Sequence, residues 1–178
     1  MAEVEDQEFY QEINFELDKI AGHLSKWLKV KLVREAGKNW WKSNIYRILD
    51  EHSQHRIDSG QWKEVEDLDL HALLKVFDRN FNFLWKSASL PRDSRQIIKE
   101  MTNVRSRCQG HRPARGNRLL DLERDIDTMR RFCKLIGMQK ASEQLLDAIY
   151  NRISLARLRA KGVIPYEKVI STNAPETL

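Results

Sequence analysis

The chain has 178 residues, 41% of them hydrophobic, which is enough to bury the core of one ordinary domain. Its 31 basic and 26 acidic residues give a net charge of +5, and no apolar run reaches the roughly 18 residues that a membrane-spanning helix needs. The composition excludes a wholly disordered chain and a membrane-spanning one, and two cysteines alone cannot make a disulfide framework or a four-ligand zinc site. The N-terminus lacks a secretory signal, so we expect a cytoplasmic protein.

The charge is distributed unevenly along the chain. Residues 1–18 contain seven acids and no Lys or Arg, so the remainder carries 31 basic against 19 acidic residues, a net charge of +12. An excess of this size attracts polyanions and favours a nucleic-acid partner. We interpret residues 1–18 as an acidic lead-in, residues 19–160 as a helical domain and residues 161–178 as a linker-like tail.

Three segments in the first half of the chain repeat apolar residues at the three- and four-residue steps of an α-helix. Gly37 is expected to stop the first of them, and Asp67 or Asp69 is expected to cap the N-terminus of the third. A polar loop around Gly60 separates the second from the third. The predicted helices span about 7–35, 40–56 and 69–86.

Three more helical segments follow in the second half. The first begins near Pro91 and is expected to end near Gly110 or Pro113. Helices over about 118–136 and 141–160 complete the series, and no segment alternates like a strand. The sequence therefore predicts an all-α fold, a helical bundle of about five or six helices with up-and-down topology.

Most familiar catalytic signatures are absent from the sequence. It has no GxxxxGK[ST] or GxGxxG loop for phosphates, and no HExxH, CxxC or GxSxG motif. His52 and His55 lie three residues apart, but without a cysteine nearby we interpret them as polar residues at a helix end rather than as metal ligands. We therefore expect no cofactor and no metal site.

Tryptophan side chains can stack on nucleic-acid bases. Of the five tryptophans, Trp27, Trp41 and Trp85 fall on apolar helical stripes, so we expect them to pack in the core. Trp62 lies in a polar loop and is the one that we single out for contact with a ligand.

The segment from Val104 to Arg118 differs from the rest of the chain. It has five arginines and one histidine, and no acid occurs before Asp121. A junction between helices has no structural need for such a cluster, because like charges repel one another. Two interpretations are open: a solvated basic loop, or a phosphate site in which arginine forks bind phosphate oxygens. The cluster consists of Arg105, Arg107, His111, Arg112, Arg115 and Arg118.

A histidine and an arginine are a minimal set for cleaving RNA. The 2′-hydroxyl must lose a proton and the 5′-oxygen must gain one, and a histidine can perform either transfer because its pKa lies near neutral pH. An arginine stabilises the extra negative charge of the pentacovalent phosphate. No metal ion is required in this scheme.

The spacing within the cluster resembles the ribonuclease motif of the HEPN superfamily, whose members are all-helical domains. Arg105 is followed by the polar Ser106 and, after five intervening residues, by His111. In the superfamily two protomers pack their motif helices together, and the Arg and His of both line one cleft. The resemblance implies a homodimer in which Arg105 and His111 are catalytic and Ser106 supports them.

The resemblance extends beyond the motif and covers about residues 20–155. Residues 68–83 and 125–129 are similar to the superfamily branch that is attached to helicases and ATPases of bacterial defence loci. This similarity implies a helicase or ATPase partner, or further domains, and a role in antiviral defence.

The first hypothesis is therefore a metal-independent endoribonuclease that leaves 2′,3′-cyclic phosphate ends on RNA. On a continuous helix Arg105 and His111 would lie about 120° apart, so their convergence needs a break near Gly110 or one residue from each chain of a homodimer. The other arginines have no counterpart in the superfamily motif, and we assign them to the RNA backbone from their charge. They are Arg107, Arg112, Arg115 and Arg118.

The second hypothesis is a catalytically inactive HEPN-like module that dimerises or docks nucleic acid for a larger helicase or ATPase. It is favoured by departures from the superfamily pattern. Asn, His or Asp is usual at the position of Ser106, and an aromatic residue and an alanine are common where this chain has Gln109 and Gly110. A toxin paired with a nucleotidyltransferase is discounted, because such members have a tyrosine where this chain has Pro113.

Overall fold

A computed structural model describes residues 2–109, 118–138 and 140–163 of the chain. Over these ranges it contains α-helices, short 3₁₀ turns and no strand, which confirms the all-α fold predicted from the helical periodicity. None of these helices is long and apolar enough to cross a membrane. The helices are α1 (Ala2–Ala36), α2 (Trp40–Asn44), α3 (Glu51–Asp58), α4 (Leu70–Arg79), α5 (Phe81–Ser87), α6 (Ser94–Gln109), α7 (Arg118–Leu135) and α8 (Lys140–Ala160), and the 3₁₀ turns are Gly37–Asn39, Tyr46–Ile48 and Val65–Asp67.

Helix α1 is the central element of the bundle. It contacts α4, α5, α6 and α7, and the stripe that includes Ile13, Leu17 and Leu24 is completely buried. Gly37 follows the helix with a φ of +62°, a left-handed conformation that glycine adopts without strain, so the predicted stop is confirmed. The helix runs without interruption through residue 18, so the acidic lead-in and the helical domain share one element. The proposed division of the chain stays a prediction.

Helices α6 and α7 are antiparallel neighbours, and α8 packs against α7 in turn. Arg131, late in α7, pairs with Glu100 in the middle of α6 at 2.6 Å. Asp125, earlier in α7, pairs with Arg107 near the end of α6. Since later residues of one helix pair with earlier residues of the other, the two helices run in opposite directions, as the up-and-down topology requires.

The three predicted helices of the second half are confirmed with small shifts. The first begins at Ser94 rather than near Pro91. The other two begin and end within one residue of their predicted limits.

The helix predicted over 40–56 is wrong as a single element. The chain forms α2 and a 3₁₀ turn, and it becomes extended at Leu49, with a ψ of 153°, before α3 begins. Side chains supply hydrogen bonds that replace those of a continuous helix. Asp50 accepts from the backbone N–H of Ser53 at 2.9 Å, and the Gln54 amide donates to the carbonyl of Leu49 at 3.1 Å. Polar side chains therefore end one helix and start the next within a continuous apolar pattern.

The helix predicted over 69–86 is likewise divided in two, at Asn80. Its predicted start is confirmed, because the Asp69 carboxylate accepts a backbone N–H in the first turn of α4. The Asn80 side chain is only 3% exposed and donates to the carbonyls of Val76 and Asn44, at 2.8 Å each. It also accepts a hydrogen bond from the side-chain amide of Asn44 at 2.8 Å. Asn80 thus connects the end of α4 to the end of α2.

Two tryptophans lie where the sequence analysis did not expect them. Trp62 is 6% exposed and packs beneath the Arg56 guanidinium at 4.8 Å, so its interpretation as a ligand contact is wrong. Trp85 was expected in the core but is 38% exposed. Leu84, its neighbour in α5, is the fully buried residue of that turn.

The Asn80 hydrogen bonds predict a stability difference between two neighbouring asparagines. Asn80→Ala removes three hydrogen bonds, two of which join α4 to α2, so we expect the free energy of unfolding to fall by about 1–3 kcal/mol. Asn82→Ala is the matched control, because Asn82 is exposed and we expect a change within about 0.5 kcal/mol. Urea unfolding followed by circular dichroism measures both. Equal effects of the two substitutions would contradict the assignment.

Candidate functional site

The arginine cluster begins in the last turns of α6 and ends at the first residue of α7. Arg105, Ser106 and Arg107 lie within α6, and Arg118 opens α7 and has an interaction partner of its own. The remaining candidates, His111, Arg112 and Arg115, lie outside the described residues. The structure therefore describes the two helical ends that the rest of the cluster connects.

Arg107 is held by a buried carboxylate. Its Nε donates to Oδ2 of Asp125 at 3.2 Å, and its Nη2 donates to Oδ1 of the same residue. The Asp125 side chain is only 3% exposed, and the Cys108 thiol lies 3.7 Å from its Oδ2. Burial raises the pKa of Asp125, and the two hydrogen bonds from Arg107 counteract part of that rise. The forked geometry satisfies both carboxylate oxygens at once.

The Arg107–Asp125 pair connects α6 to α7 beside the point where the described part of α6 ends. Asp125 lies seven residues into α7, and Arg107 lies two residues before the end of α6. The pair thereby joins the two helices that precede and follow the segment that carries His111. The RNA-backbone role assigned to Arg107 from charge stays a prediction; in the structure its guanidinium has a partner within the chain, and 42% of the side chain is exposed.

Arg105 differs from its neighbour two residues away. Its side chain is half-buried, and its Nε is buried without a hydrogen-bond partner among the described residues. No ion pair joins it to an acid in this part of the chain. An orphaned N–H of this kind is costly unless an acceptor satisfies it. Arg105 can therefore accommodate an anion without first giving up an internal partner.

Ser106 uses its hydroxyl within its own helix. Its Oγ donates to the carbonyl of Thr102, one turn earlier, at 3.0 Å. This bond occupies the hydroxyl proton, although the oxygen can still accept from a neighbour. The side chain is exposed, so it lies on the solvent face of α6.

Sequence reasoning did not identify Asp125 as a functional residue. A signal was present, since an acid stands on the same helical face as Leu122, Ile126 and Met129, which are all buried. An acid on a buried stripe needs a cationic partner. The partner could not be identified, because it lies on a different helix.

The histidines suggested by spacing show no metal site. His52 and His55 are both exposed on α3. Over residues 2–109, 118–138 and 140–163, no group of three or more His, Cys, Asp and Glu side chains is arranged to hold a metal ion.

The buried carboxylate predicts a stability contrast on α7. Asp125→Asn keeps the shape but removes the charge that Arg107 binds, so we expect the free energy of unfolding to fall by about 1.5–3 kcal/mol. Asp127→Asn is the matched control. Its side chain is 50% exposed and pairs with Arg131 at the surface, where such pairs contribute about 0–1 kcal/mol. Urea titrations measure the free energy of unfolding of both variants. If Asp125→Asn lost no more of it than Asp127→Asn, a structural role for Asp125 would be contradicted.

The two cysteines should be inert in the folded protein. Burial raises the pKa of both thiols, Cys108 and Cys133, to about 12, and the thiolate is the reactive form. At pH 8 we expect no rapid reaction with a chromogenic disulfide reagent, and two equivalents of released dye per chain in concentrated guanidinium chloride. Rapid release of dye from the folded protein would contradict the burial of these thiols.

Comparison with known protein families identifies the region that contains the arginine cluster. A family model described as Swt1-like HEPN matches residues 16–137. Neither a curated protein nor a solved structure was found to match the chain. The matched region extends from the middle of α1 to the end of α7, and it contains the whole arginine cluster. Because the match covers well over half of the sequence, the chain belongs to the Swt1-like HEPN family.

Proposed function

We propose that this protein is a metal-independent endoribonuclease in which Arg105 and His111 carry out the cleavage of RNA. The observation that carries the proposal is the environment of the Arg105 guanidinium. Within a HEPN domain, a half-buried guanidinium whose Nε has no partner among the described residues lies where the motif begins. Such a group is suited to bind a phosphate oxygen and to stabilise added negative charge on it.

The chemistry needs one attack and two proton transfers. The 2′-oxygen of the ribose forms a bond to phosphorus while the bond from phosphorus to the 5′-oxygen breaks, which leaves a 2′,3′-cyclic phosphate and a 5′-hydroxyl. His111 exchanges protons with one of these oxygens, as the base for the 2′-hydroxyl or as the acid for the leaving oxygen. Arg105 stabilises the pentacovalent phosphate. In this scheme the other proton transfer is left to water or to a second His111.

A homodimer would supply that second histidine. On one continuous helix Arg105 and His111 would lie about 120° apart, so a single chain must leave the helix before His111 for the two to converge. Two chains that pack at the ends of α6 would instead bring two copies of each residue to one cleft. We therefore propose that the active form is a homodimer.

The biological setting in our proposal follows from the sequence similarity. Residues 68–83 resemble HEPN domains attached to helicases and ATPases of bacterial defence loci. We propose that the nuclease acts on RNA in antiviral defence, together with a helicase or ATPase partner, in the cytoplasm.

A second candidate function rests on Ser106. Because its hydroxyl already donates to the carbonyl of Thr102, Ser106 has no proton left with which to support a catalytic group. That arrangement favours a HEPN-like module that dimerises or docks nucleic acid without cleaving it. Arg105 would then bind a phosphate without acting on it.

A cleavage assay in EDTA distinguishes the two candidates. We expect the wild type to cut single-stranded RNA and to leave 2′,3′-cyclic phosphate ends, and we expect His111→Ala to lose at least about 100-fold in rate, the range typical of general acid–base catalysis. His52→Ala, which alters an exposed histidine on α3, is the matched control and should cleave like the wild type.

Equal purity and equal thermal unfolding of the three proteins are the required controls. Full activity of His111→Ala would contradict the assigned role of His111. RNA binding without cleavage by the wild type would favour the docking module instead.

A further inference from the structure

A second feature of the α6 surface is an open cleft between α4 and α6, with a volume of about 400 Å³. Helix α4 contributes His71, Lys75 and Arg79 to its lining, and α6 contributes Lys99 and Asn103. None of the aromatic residues Phe, Tyr and Trp is among the described residues that line it. The cleft is therefore polar and cationic, and neither hypothesis drawn from the sequence assigned it a role.

The orientation of the two helices directs this cleft toward the motif. Asp78, at the end of α4, pairs with Arg95, at the start of α6, at 2.9 Å. His71 lies seven residues before Asp78, and Thr102 lies seven residues after Arg95, and both line the cleft. The helices are thus antiparallel, and the end of the cleft marked by His71 lies beside the later turns of α6.

The residues of α6 that line the cleft precede the motif residue Arg105 on the same helix. At about 100° per residue, Lys99, Asn103 and Ser106 fall on one face of the helix. Thr102, which also lines the cleft, lies three residues before Arg105, the first residue of the motif, and about 60° from it around the helix. A chain of phosphates lying in the cleft would therefore be led along α6 to the site of cleavage.

The positive charge of the cleft is only partly neutralised. Lys75 pairs with Asp50 at 3.0 Å, and the acid of the cleft, Asp78, is neutralised by Arg95 at 2.9 Å. Among the described residues, no acid forms an ion pair with Arg79 or Lys99, and both are exposed. Two cations on opposite walls of one cleft are thus available to an external anion.

We propose that the cleft between α4 and α6 binds the sugar–phosphate backbone of single-stranded RNA and guides it to Arg105. Arg79 and Lys99 bind phosphates, and Asn103 donates to a phosphate or a ribose hydroxyl. Because the lining offers no aromatic platform for bases, binding is independent of base sequence. The proposal rests on the proposed ribonuclease function and names the path of its substrate.

The test measures RNA binding separately from cleavage. A fluorescent single-stranded RNA is titrated with the full chain carrying His111→Ala, and the anisotropy is followed at several salt concentrations. Adding Arg79→Ala and Lys99→Ala should weaken binding by at least about tenfold. The slope of log affinity against log salt should fall in magnitude by about 1.4, since each phosphate contact on a single strand contributes about 0.7.

The matched control removes the same charge elsewhere. Lys26→Ala with Lys134→Ala alters two exposed lysines on α1 and α7 that form no ion pair among the described residues. We expect this control to retain the affinity and most of the salt dependence. If the two double variants lost the same amount of RNA affinity, the proposal that the cleft binds RNA would be overturned. Only a general effect of net charge on RNA affinity would then remain.

Other outcomes separate this proposal from the proposed function. RNA binding that depends on Arg79 and Lys99, without cleavage by the wild type, would support the cleft and contradict the nuclease. If the wild type cleaved RNA and the Arg79→Ala, Lys99→Ala variant with an intact His111 cleaved it equally well, the proposed ribonuclease function would be supported. The proposed binding of RNA in the cleft would be overturned. A polyglutamate peptide that binds more tightly than RNA, with the same dependence on Arg79 and Lys99, would assign the cleft to an acidic protein and also overturn it.

Discussion

The candidate site depends on the ion pair between Arg107 and Asp125. Burial of a side chain that is 3% exposed disfavours the charged carboxylate, and the Arg107 fork stabilises that charge with two hydrogen bonds from the neighbouring helix. The pair fixes the separation of α6 and α7 on either side of the segment that carries His111. Any catalytic geometry built on that segment therefore starts from two helices that this interaction holds together.

Two arginines separated by one residue have different environments for a simple geometric reason. Positions 105 and 107 lie about 200° apart around α6, so when one faces α7 the other faces away from it. Arg107 pairs with the buried acid Asp125, whereas the buried Nε of Arg105 has no hydrogen-bond partner among the described residues. Positive charge alone does not distinguish them, but their partners do. This difference underlies the proposal that Arg105 acts on RNA, and Arg107 connects α6 to α7.

The fold could be predicted wherever helical periodicity was continuous. The stripes that produce α1, α6, α7 and α8 are regular, and all four helices are present. Helices α7 and α8 lie within one residue of their predicted limits, whereas α1 begins at Ala2 rather than near residue 7 and α6 at Ser94 rather than near Pro91. Prediction failed at Asp50 and Asn80, because both breaks occur within apolar patterns that continue across them. The Asn80 network joins residues 36 positions apart, and such a pairing is set by how helices pack rather than by local sequence.

The site could be predicted only in part, for the same reason. The spacing of Arg105, Ser106 and His111 was sufficient to indicate a motif, since that pattern is local. The partner of Arg107 lies 18 residues later on another helix, so charge counting could not identify it, and the assignment of Arg107 to the RNA stays a prediction. His111 lies outside the described residues, and its role remains a prediction.

The most direct test of the account compares Arg105→Ala with Arg107→Ala in the same two assays, urea unfolding and RNA cleavage in EDTA. We predict that Arg105→Ala lowers the free energy of unfolding by less than about 1 kcal/mol and abolishes cleavage. Arg107→Ala should lower the free energy of unfolding by about 1.5–3 kcal/mol, because it leaves Asp125 buried without its partner. The account would be contradicted if Arg105→Ala cleaved RNA like the wild type, or if Arg107→Ala were as stable as the wild type.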